Sequence, residues 1–377
     1  MTSDADDSPE SGERSADLLD RTLSDFELED LVDGDEAPPA VTYSTQDYPV
    51  DGLVKRLERG SMRVPQFGVD DPANATAGFQ RGFVWTKGQM DRFIESLLLG
   101  YPVPGIFLVK QTDNVMLVLD GQQRLETLRR FYAGTHNARP FALENVSADF
   151  RGRTYKTLGE ASKLALDDSF MQATIVSTDG STEVNDAIYR IFERLNSGGT
   201  QLTPHEIRVA LFAGPLMVLV EELNSFPAWR ALFGPPNKRI RDHELVMRIA
   251  ALYLHAPEYA RPLKSFLNNF SAAYRNAREL PNDAADLFRR ATVILERDAG
   301  RGALRRGEVG QVNAAQAEAI IVGLMRKLAQ GREPAAVASA ISALKGSDEF
   351  ARVTTRSTAD NDAVRDRLSL AAAAFAS

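Results

Sequence analysis

The 377-residue chain contains no cysteine and only four histidines. The absence of cysteine excludes disulfide bonds, thiol catalysis and every zinc site that needs a cysteine ligand. The histidines stand at positions 136, 205, 243 and 255, and no two have the spacing of a metal-binding helix. Long apolar runs are also missing, since none approaches the roughly 18–20 residues of a transmembrane helix. The sequence therefore argues against a histidine-rich metal site, and we expect no membrane partner.

Charge is distributed unevenly along the chain. Residues 1–36 hold fourteen Asp and Glu against two Arg, a net charge of −12, whereas the whole chain carries −8, so the remainder carries +4. Such dense acid predicts a solvated, disordered tail over 1–40. The first residues have neither the basic start nor the apolar core of a signal peptide. We therefore expect a cytoplasmic protein of a bacterium or archaeon.

Hydrophobic periodicity predicts an α+β protein, with an α/β domain over 41–213 followed by an all-helical domain over 214–377. In the second domain we predict helices over 242–254, 263–277, 284–296, 314–329, 335–344 and 361–374. The segment 230–306 also holds fifteen Lys and Arg, so we expect the helical half to make the main contact with DNA. The acidic tail then either competes with DNA for this basic half or only aids solubility.

Local signals mark the ends of several elements in the first domain. Thr86 and Gln89 have the spacing of a capping box at the start of a helix, which Gly100 should end. Two strands over 105–110 and 115–119 follow, and we expect them to form a hairpin. A second capping box, with Pro at the first helical position, predicts that a helix begins after Thr203.

The pentapeptide 120–124 (DGQQR) directly follows the second of these strands and opens a helix. Unpaired amides and the dipole at a helix start favour an anion such as phosphate. Gly121 allows close approach of a ligand, the two glutamines carry amide donors, and Arg124 offers a planar fork for phosphate oxygens. Alternatively, Asp120 and Gln123 have capping-box spacing, and the pentapeptide is simply a polar first turn. Local physics leaves both interpretations open.

Two further polar clusters have both a structural and a functional interpretation. The segment 79–85 (FQRGFVW) places one cation among three aromatics, which suits either a phosphate or base contact or an aromatic plug beneath the next helix. The segment 194–200 (RLNSGGT) is by default a glycine helix stop, although its polar side chains would also suit a loop that closes over a ligand.

The histidines give little support for catalysis. His205 follows the first helical proline and is expected to be a solvated first-turn residue. His243 and His255 fall on one predicted helix, twelve residues apart, which turns them about 120° from each other. We therefore do not expect these two side chains to converge on one metal.

Together, several segments resemble the N-terminal domain of GmrSD-type restriction endonucleases. They are 80–85 (QRGFVW), 94–104 (IESLLLGYPVP), 119–124 (LDGQQR), 192–208 (FERLNSGGTQLTPHEIR) and, more loosely, 241–248 (RDHELVMR). The resemblance spans about 41–270. It implies a ParB/sulfiredoxin-like fold, in which a helix-start Gly-x-x-Arg binds nucleotide phosphates. Here Gly121 and Arg124 are the ends of that motif.

The resemblance further implies a nucleoside triphosphatase module of a prokaryotic restriction or phage-defence system, with Asp120, Gln123 and Arg124 as catalytic residues. The implied nucleotide-binding residues are Gln80, Arg81, Glu95, Ser96, Gly121, Gln122 and Arg124. Phosphoryl transfer needs charge neutralisation and a positioned water. Arg124 and Arg81 would supply positive charge, and either Gln123 or Gln122 would orient the water. Asp120 or Glu95 would hold Mg²⁺ or accept the proton of the water.

Two other functions remain open at this stage. One is a DNA-binding adaptor that does not turn over nucleotide. The other is a stand-alone ParB-like nuclease, for which Asp120 with Glu95 is the one carboxylate pair that we can nominate. No HNH-like nuclease domain is recognisable in the sequence, so we expect a partner nuclease subunit.

Overall fold

A computed structural model describes residues 41–64, 85–111, 113–179, 181–195, 203–237, 239–307 and 310–376. The acidic segment 1–36 lies outside these residues. The chain divides into a unit formed by Ala37–Gln201 and a unit that contains Leu202–Ser377. The first is built of strands and helices and the second of helices, so the predicted α+β class is confirmed.

The first unit is built on a five-stranded mixed sheet with the strand order β1-β7-β3-β4-β2. The strands of the unit are β1 (Tyr43–Pro49), β2 (Met62–Arg63), β3 (Ile106–Lys110), β4 (Met116–Asp120), β5 (Thr135–His136), β6 (Arg139–Pro140) and β7 (Phe170–Ser177), of which β5 and β6 pair separately. β3 and β4 run antiparallel, which confirms the predicted hairpin. β7 lies parallel to β3, and β2 lies parallel to β4.

The helices of this unit are α1 (Val50–Glu58), α2 (Lys87–Leu98), α3 (Gln122–Ala133), α4 (Glu160–Asp167) and α5 (Thr182–Leu195). Apolar side chains of α1, α2 and α3 share one core with Ile106, Leu108 and Val118 of the sheet. Successive strand residues point to opposite faces. Leu117 and Leu119 are therefore buried on the other face, where α5 contacts β4.

The predicted ends of α2 are confirmed. At its start, the Thr86 side chain accepts from the Gln89 amide, and the Gln89 side chain accepts from the Thr86 amide, 2.8 Å away. At its end, Gly100 has φ +70°, the Gly100 N–H donates to the Leu97 carbonyl, and the Tyr101 N–H donates to the Ser96 carbonyl. This is the double hydrogen bond of a Schellman motif, and glycine supplies the left-handed residue that it needs.

The second unit is helical. Its helices are α6 (Pro204–Leu211), α7 (Pro215–Asn224), α8 (Pro227–Phe233), α9 (Arg241–His255), α10 (Leu263–Tyr274), α11 (Ala284–Asp298), α12 (Ala314–Ala329), α13 (Val337–Lys345), α14 (Asp348–Val353) and α15 (Asn361–Ala374). All six helices predicted for this half are present, with ends shifted by no more than three residues, and α6 starts at its predicted capping box. Within the described parts of the chain, no helix is long and apolar enough to cross a membrane.

His205 is buried rather than solvated, so that prediction is wrong. It is fully inaccessible, and its Nε2 lies 2.8 Å from Nδ1 of His243, a residue 38 positions away that packing brings beside it. Nη1 of Arg208 lies 3.0 Å from Nδ1 of His205. Because arginine only donates, His205 Nδ1 accepts, and His205 Nε2–H then donates to His243. Both rings are therefore neutral, and burial lowers both pKa values, that of His243 to about 4.

A buried carboxylate joins three helices of the second unit. Glu318 of α12 is fully buried and accepts from Nε of Arg248 on α9, 2.9 Å away, and from Nη2 of Arg367 on α15. Both arginines are at most 5% exposed. An isolated buried carboxylate would be strongly disfavoured, whereas two guanidinium partners supply the charge and donors that water otherwise provides.

Part of the positive charge of this half lies inside the unit rather than on its surface. Arg305 is 5% exposed and donates to the carbonyls of Arg301, Leu232, Phe233 and Gly310. Arg239 pairs with Glu206, whereas Arg290 and Arg306 are exposed. Lys238 lies outside the described residues. The expected contact with DNA remains a prediction that rests on fewer surface cations than the sequence suggested.

We predict that acid destabilises the second unit through the His205–His243 pair. Unfolded histidines bind protons below a pKa of about 6.5, whereas the folded pair stays neutral to lower pH, because the pKa of His243 is about 4. Stability is therefore fully present above pH ~6.5 and falls as the pH drops towards 4, by about 3 kcal/mol for His243 alone. Urea unfolding of the protein between pH 7.5 and 4.5 measures this.

In the same series, His243→Gln should reduce the pH dependence. His255→Gln serves as the comparison variant, because His255 lies outside the pair, beside Glu258 and Tyr274. Superimposable pH profiles for wild type and His243→Gln would contradict the assignment.

We also predict that Glu318→Gln lowers the free energy of unfolding by about 3–5 kcal/mol, since it removes the buried charge that Arg248 and Arg367 share. The matched control is Glu333→Gln, which removes a half-exposed partner of Arg297 and should change little. Urea unfolding measures both variants, and equal midpoints for the two would contradict the structural role of Glu318.

Candidate functional site

The candidate site lies where β4 ends and α3 begins. Gly121 is the N-cap of α3, with φ +94° and ψ 9°. A Cβ built on Gly121 would lie 2.4 Å from Cγ2 of Ile106, so glycine is required both by the backbone and by the close approach of β3. Because this N-cap has no side chain, it makes no side-chain hydrogen bond to the first-turn amides of α3. The amides and the helix dipole together present positive potential at this point.

Asp120 does not cap the helix, so the capping interpretation of the pentapeptide is wrong. The N-cap is one residue later, and the Asp120 carboxylate instead accepts from Nη2 of Arg124, 2.8 Å away. The Asp120 side chain is 55% exposed, whereas that of Arg124 is only 14% exposed. The site therefore presents a carboxylate to solvent and holds it in place with a largely buried guanidinium.

Arg124 also connects the helix start to the beginning of β3. The same Nη2 donates to the carbonyl of Gly105, 2.9 Å away. Gly105 itself lies close to β7, because an added Cβ would be 2.7 Å from the carbonyl oxygen of Gln172. Nε of Arg124 is buried without a hydrogen-bond partner in the described parts of the chain, and its hydrogen bonds there all use Nη2. Arginine carries five N–H donors. The two on Nη1 are not used by these hydrogen bonds, whereas the one on Nε is closed to solvent.

Gln123 connects the start of α3 to the start of α2. Its Oε1 accepts from the backbone N–H of Trp85, 3.2 Å away. The Trp85 ring meets Phe93 edge to face, with 5.5 Å between centroids, and packs against the core. The structure thus brings the last residue of the aromatic cluster 79–85 to the pentapeptide.

Glu95 and Ser96 have contacts of a different kind. Oε1 of Glu95 accepts from the backbone N–H of Ser147, 2.7 Å away, and Oγ of Ser96 donates to the carbonyl of Arg92, 2.8 Å away. Nine residues separate Glu95 from Thr86, or about 13 Å along the axis of α2. The hydrogen bonds of Glu95 and Ser96 therefore serve the C-terminal part of α2 and the segment at Ser147 rather than the start of α3.

Some predicted positions lie outside the described residues. They are Gln80 and Arg81, and with them most of the loop 194–200. In the parts of the chain that the structure does describe, Asp120, Gly121 and Arg124 come together, and Gln123 joins them to Trp85. No group of three or more His, Asp or Glu is arranged there to hold a metal ion.

Sequence reasoning missed the group that fixes α2 beside the site. The fully buried Asp91 pairs with Lys87 and accepts from the backbone N–H groups of Glu144 and Asn145 and from the Asn145 side chain. Lys87 also donates to the Ala142 carbonyl, 2.6 Å away. The i, i+4 spacing of Lys87 and Asp91 was the available signal, although such a pair is usually an exposed one.

Residues 69–213 match the family model described as the GmrSD restriction endonuclease, N-terminal domain. No curated protein and no solved structure matches the chain. The matched range includes the pentapeptide, α2 and the residues up to the end of α6. The match confirms the resemblance over this range, and it indicates a component of a restriction or phage-defence system.

We predict that Gly121→Ala is more destabilising than Gly134→Ala. Both glycines have positive φ, which costs an alanine about 1–2 kcal/mol. A Cβ at Gly134 meets nothing within 4 Å, whereas at Gly121 it overlaps Ile106, which adds about 1–3 kcal/mol. Urea unfolding of the two variants measures the difference. Equal losses of unfolding free energy would show that Ile106 of β3 does not restrict the side chain at position 121.

Proposed function

We propose that the Ala37–Gln201 unit binds a nucleoside triphosphate at the start of α3 and hydrolyses it, as a regulatory module of a restriction or phage-defence system. The observation that carries this proposal is the left-handed Gly121 N-cap beside Arg124. Ile106 leaves no room for a side chain there, so the N-cap itself provides no side-chain cap for the first-turn amides. A phosphate at this point receives backbone N–H groups, the helix dipole and a guanidinium from one turn of chain.

The geometry supports a division of roles around a bound phosphate. Arg124 neutralises phosphate charge through the donors that it does not give to Asp120 and Gly105. Asp120 accepts the proton of the attacking water or binds a metal ion, since its carboxylate is exposed and fixed in direction. A glutamine of the first turn orients the water. Arg81 adds the second positive charge, which we propose from sequence alone.

The described residues suit Mg²⁺ held mainly by the nucleotide. Magnesium is commonly bound through one or two carboxylates together with substrate phosphates and water. Asp120 is the exposed carboxylate beside the helix start. Bound there, Mg²⁺ would neutralise charge on the phosphate oxygens. Glu95 accepts from Ser147 and therefore has a structural role in α2.

We further propose that the unit is a ParB/sulfiredoxin-like domain. Support comes from the order of its parts, with a strand, a left-handed glycine and a helix-start arginine three residues later. These are the elements that the Gly-x-x-Arg motif of that fold requires, and they occur here on a small mixed sheet.

DNA cleavage is assigned in this proposal to a partner nuclease subunit. The histidines of the second unit that sequence reasoning weighed as catalytic have other partners: His243 hydrogen-bonds to His205, and His255 lies beside Glu258 and Tyr274. A general base for nuclease chemistry would need to face a metal and a phosphodiester instead. DNA itself is proposed as a regulator or target that the protein contacts.

We predict that Arg124→Ala weakens nucleotide binding by about 1.5–3 kcal/mol, because it removes charge-assisted hydrogen bonds. Titration calorimetry with ATP, GTP, CTP and UTP, each with and without Mg²⁺, identifies the ligand and measures the loss. The matched control is Arg129→Ala on the same helix, whose guanidinium pairs with Glu126 and should not affect binding.

Equal affinity in wild type and Arg124→Ala would refute the proposed site. Binding of DNA without nucleotide binding or hydrolysis would favour the adaptor function. Plasmid cleavage by the pure protein that disappears in Asp120→Ala would make the first unit itself the nuclease.

A further inference from the structure

We propose that the two adjacent glutamines of the pentapeptide have different roles: Gln122 contacts the bound nucleotide, whereas Gln123 is a positioning residue that joins α3 to the start of α2. This inference rests on the proposed function, and it assigns separate tasks to two residues that the sequence treats as equivalent.

The oxygen of Gln123 is already engaged. A glutamine amide has one carbonyl oxygen, and in Gln123 that oxygen accepts from the backbone N–H of Trp85. The next N–H group, that of Thr86, donates to Oε1 of Gln89. Two successive peptide groups at the start of α2 are therefore held by two glutamine oxygens. Gln123 does not have its oxygen available for the attacking water while this contact exists.

The contact of Gln123 determines where α2 begins relative to the site. Trp85 is packed against Phe93 on its ring side and held by Gln123 on its backbone side. One turn later, Asp91 and Lys87 fix the helix to the segment 142–145. The Gln123 side chain thus links the start of α3 to the start of α2. The remainder of α2 is held separately, by the contacts of Lys87 and Asp91.

Gln122 is placed differently. It is the first residue of α3, its side chain is partly exposed, and it makes no hydrogen bond with the described residues. Arg124 comes two positions later, a turn of about 200°, so the two side chains leave the helix on nearly opposite sides. A phosphate on the helix axis at Gly121 can therefore be reached by Arg124 from one side and by Gln122 from the other. The Gln122 amide offers both a donor for phosphate oxygen and an acceptor for water.

The test compares Gln122→Ala, Gln123→Ala and Gln123→Glu in the full chain. The first readout is the steady-state rate at which each variant hydrolyses the triphosphate that the wild type binds. The second is the tryptophan emission spectrum, recorded without nucleotide. The chain has two tryptophans. Difference spectra against wild type report Trp85, because the other tryptophan, Trp229, lies buried in the other unit. Gln123→Glu keeps an oxygen that accepts from the Trp85 N–H.

We expect Gln122→Ala to lower kcat/KM by tenfold or more with an unchanged emission spectrum. Gln123→Ala should shift the Trp85 emission, and Gln123→Glu should restore it. Wild-type kinetics in Gln122→Ala would overturn the role of Gln122. A loss of kcat in Gln123→Ala with wild-type emission would show that Gln123 acts on the ligand directly.

The wild-type protein alone tests the proposed function. If it neither binds nor hydrolyses any of the four triphosphates, the proposed function is wrong. The role of Gln122 would then fail with it. The role of Gln123 would still be decided by the emission spectra, because an unchanged Trp85 signal in Gln123→Ala overturns it without any nucleotide.

Discussion

The close approach of β3 to the start of α3 is the constraint on which the first unit depends. Ile106 occupies the space that any side chain at position 121 would need, so the chain can turn from β4 into α3 there only as a left-handed glycine. That turn moves the N-cap one residue past Asp120 and directs the carboxylate to Arg124. The shape of one backbone turn thereby decides that the aspartate faces solvent beside Arg124 rather than capping the helix.

Structural features that depend on a few neighbouring residues were predictable from the sequence. The capping boxes at Thr86 and Thr203 and the glycine stop at Gly100 join groups three to five residues apart, and the structure reproduces them. The pentapeptide shows the limit of such reasoning. The spacing of Asp120 and Gln123 suits a cap, but the choice between N-caps one residue apart depends on Ile106, which is distant in sequence. The helix α7 was missed because it is short and buries Leu216, Met217 and Val220 without a clear polar face.

The polar interior of the second unit was hidden from sequence for the same reason. His205 and His243 lie 38 positions apart, and Arg208 and Asn268 lie 60 apart, so no periodicity reports their contacts. A run of arginines reads as a basic surface, yet Arg305 binds four carbonyls inside the unit. Composition gives the amount of charge, and only packing divides that charge between interior and surface.

The Arg248–Glu318–Arg367 group has a consequence for the order in which the second unit is completed during synthesis. Glu318 is made 70 residues after Arg248 but 49 residues before Arg367. At about 5–20 residues per second, the ribosome delivers Arg367 some seconds after the helix that carries Glu318. Until then the carboxylate has one of its two partners, and α15 cannot cover it. The buried ion group of the helical unit can therefore be completed only after α15 has been made.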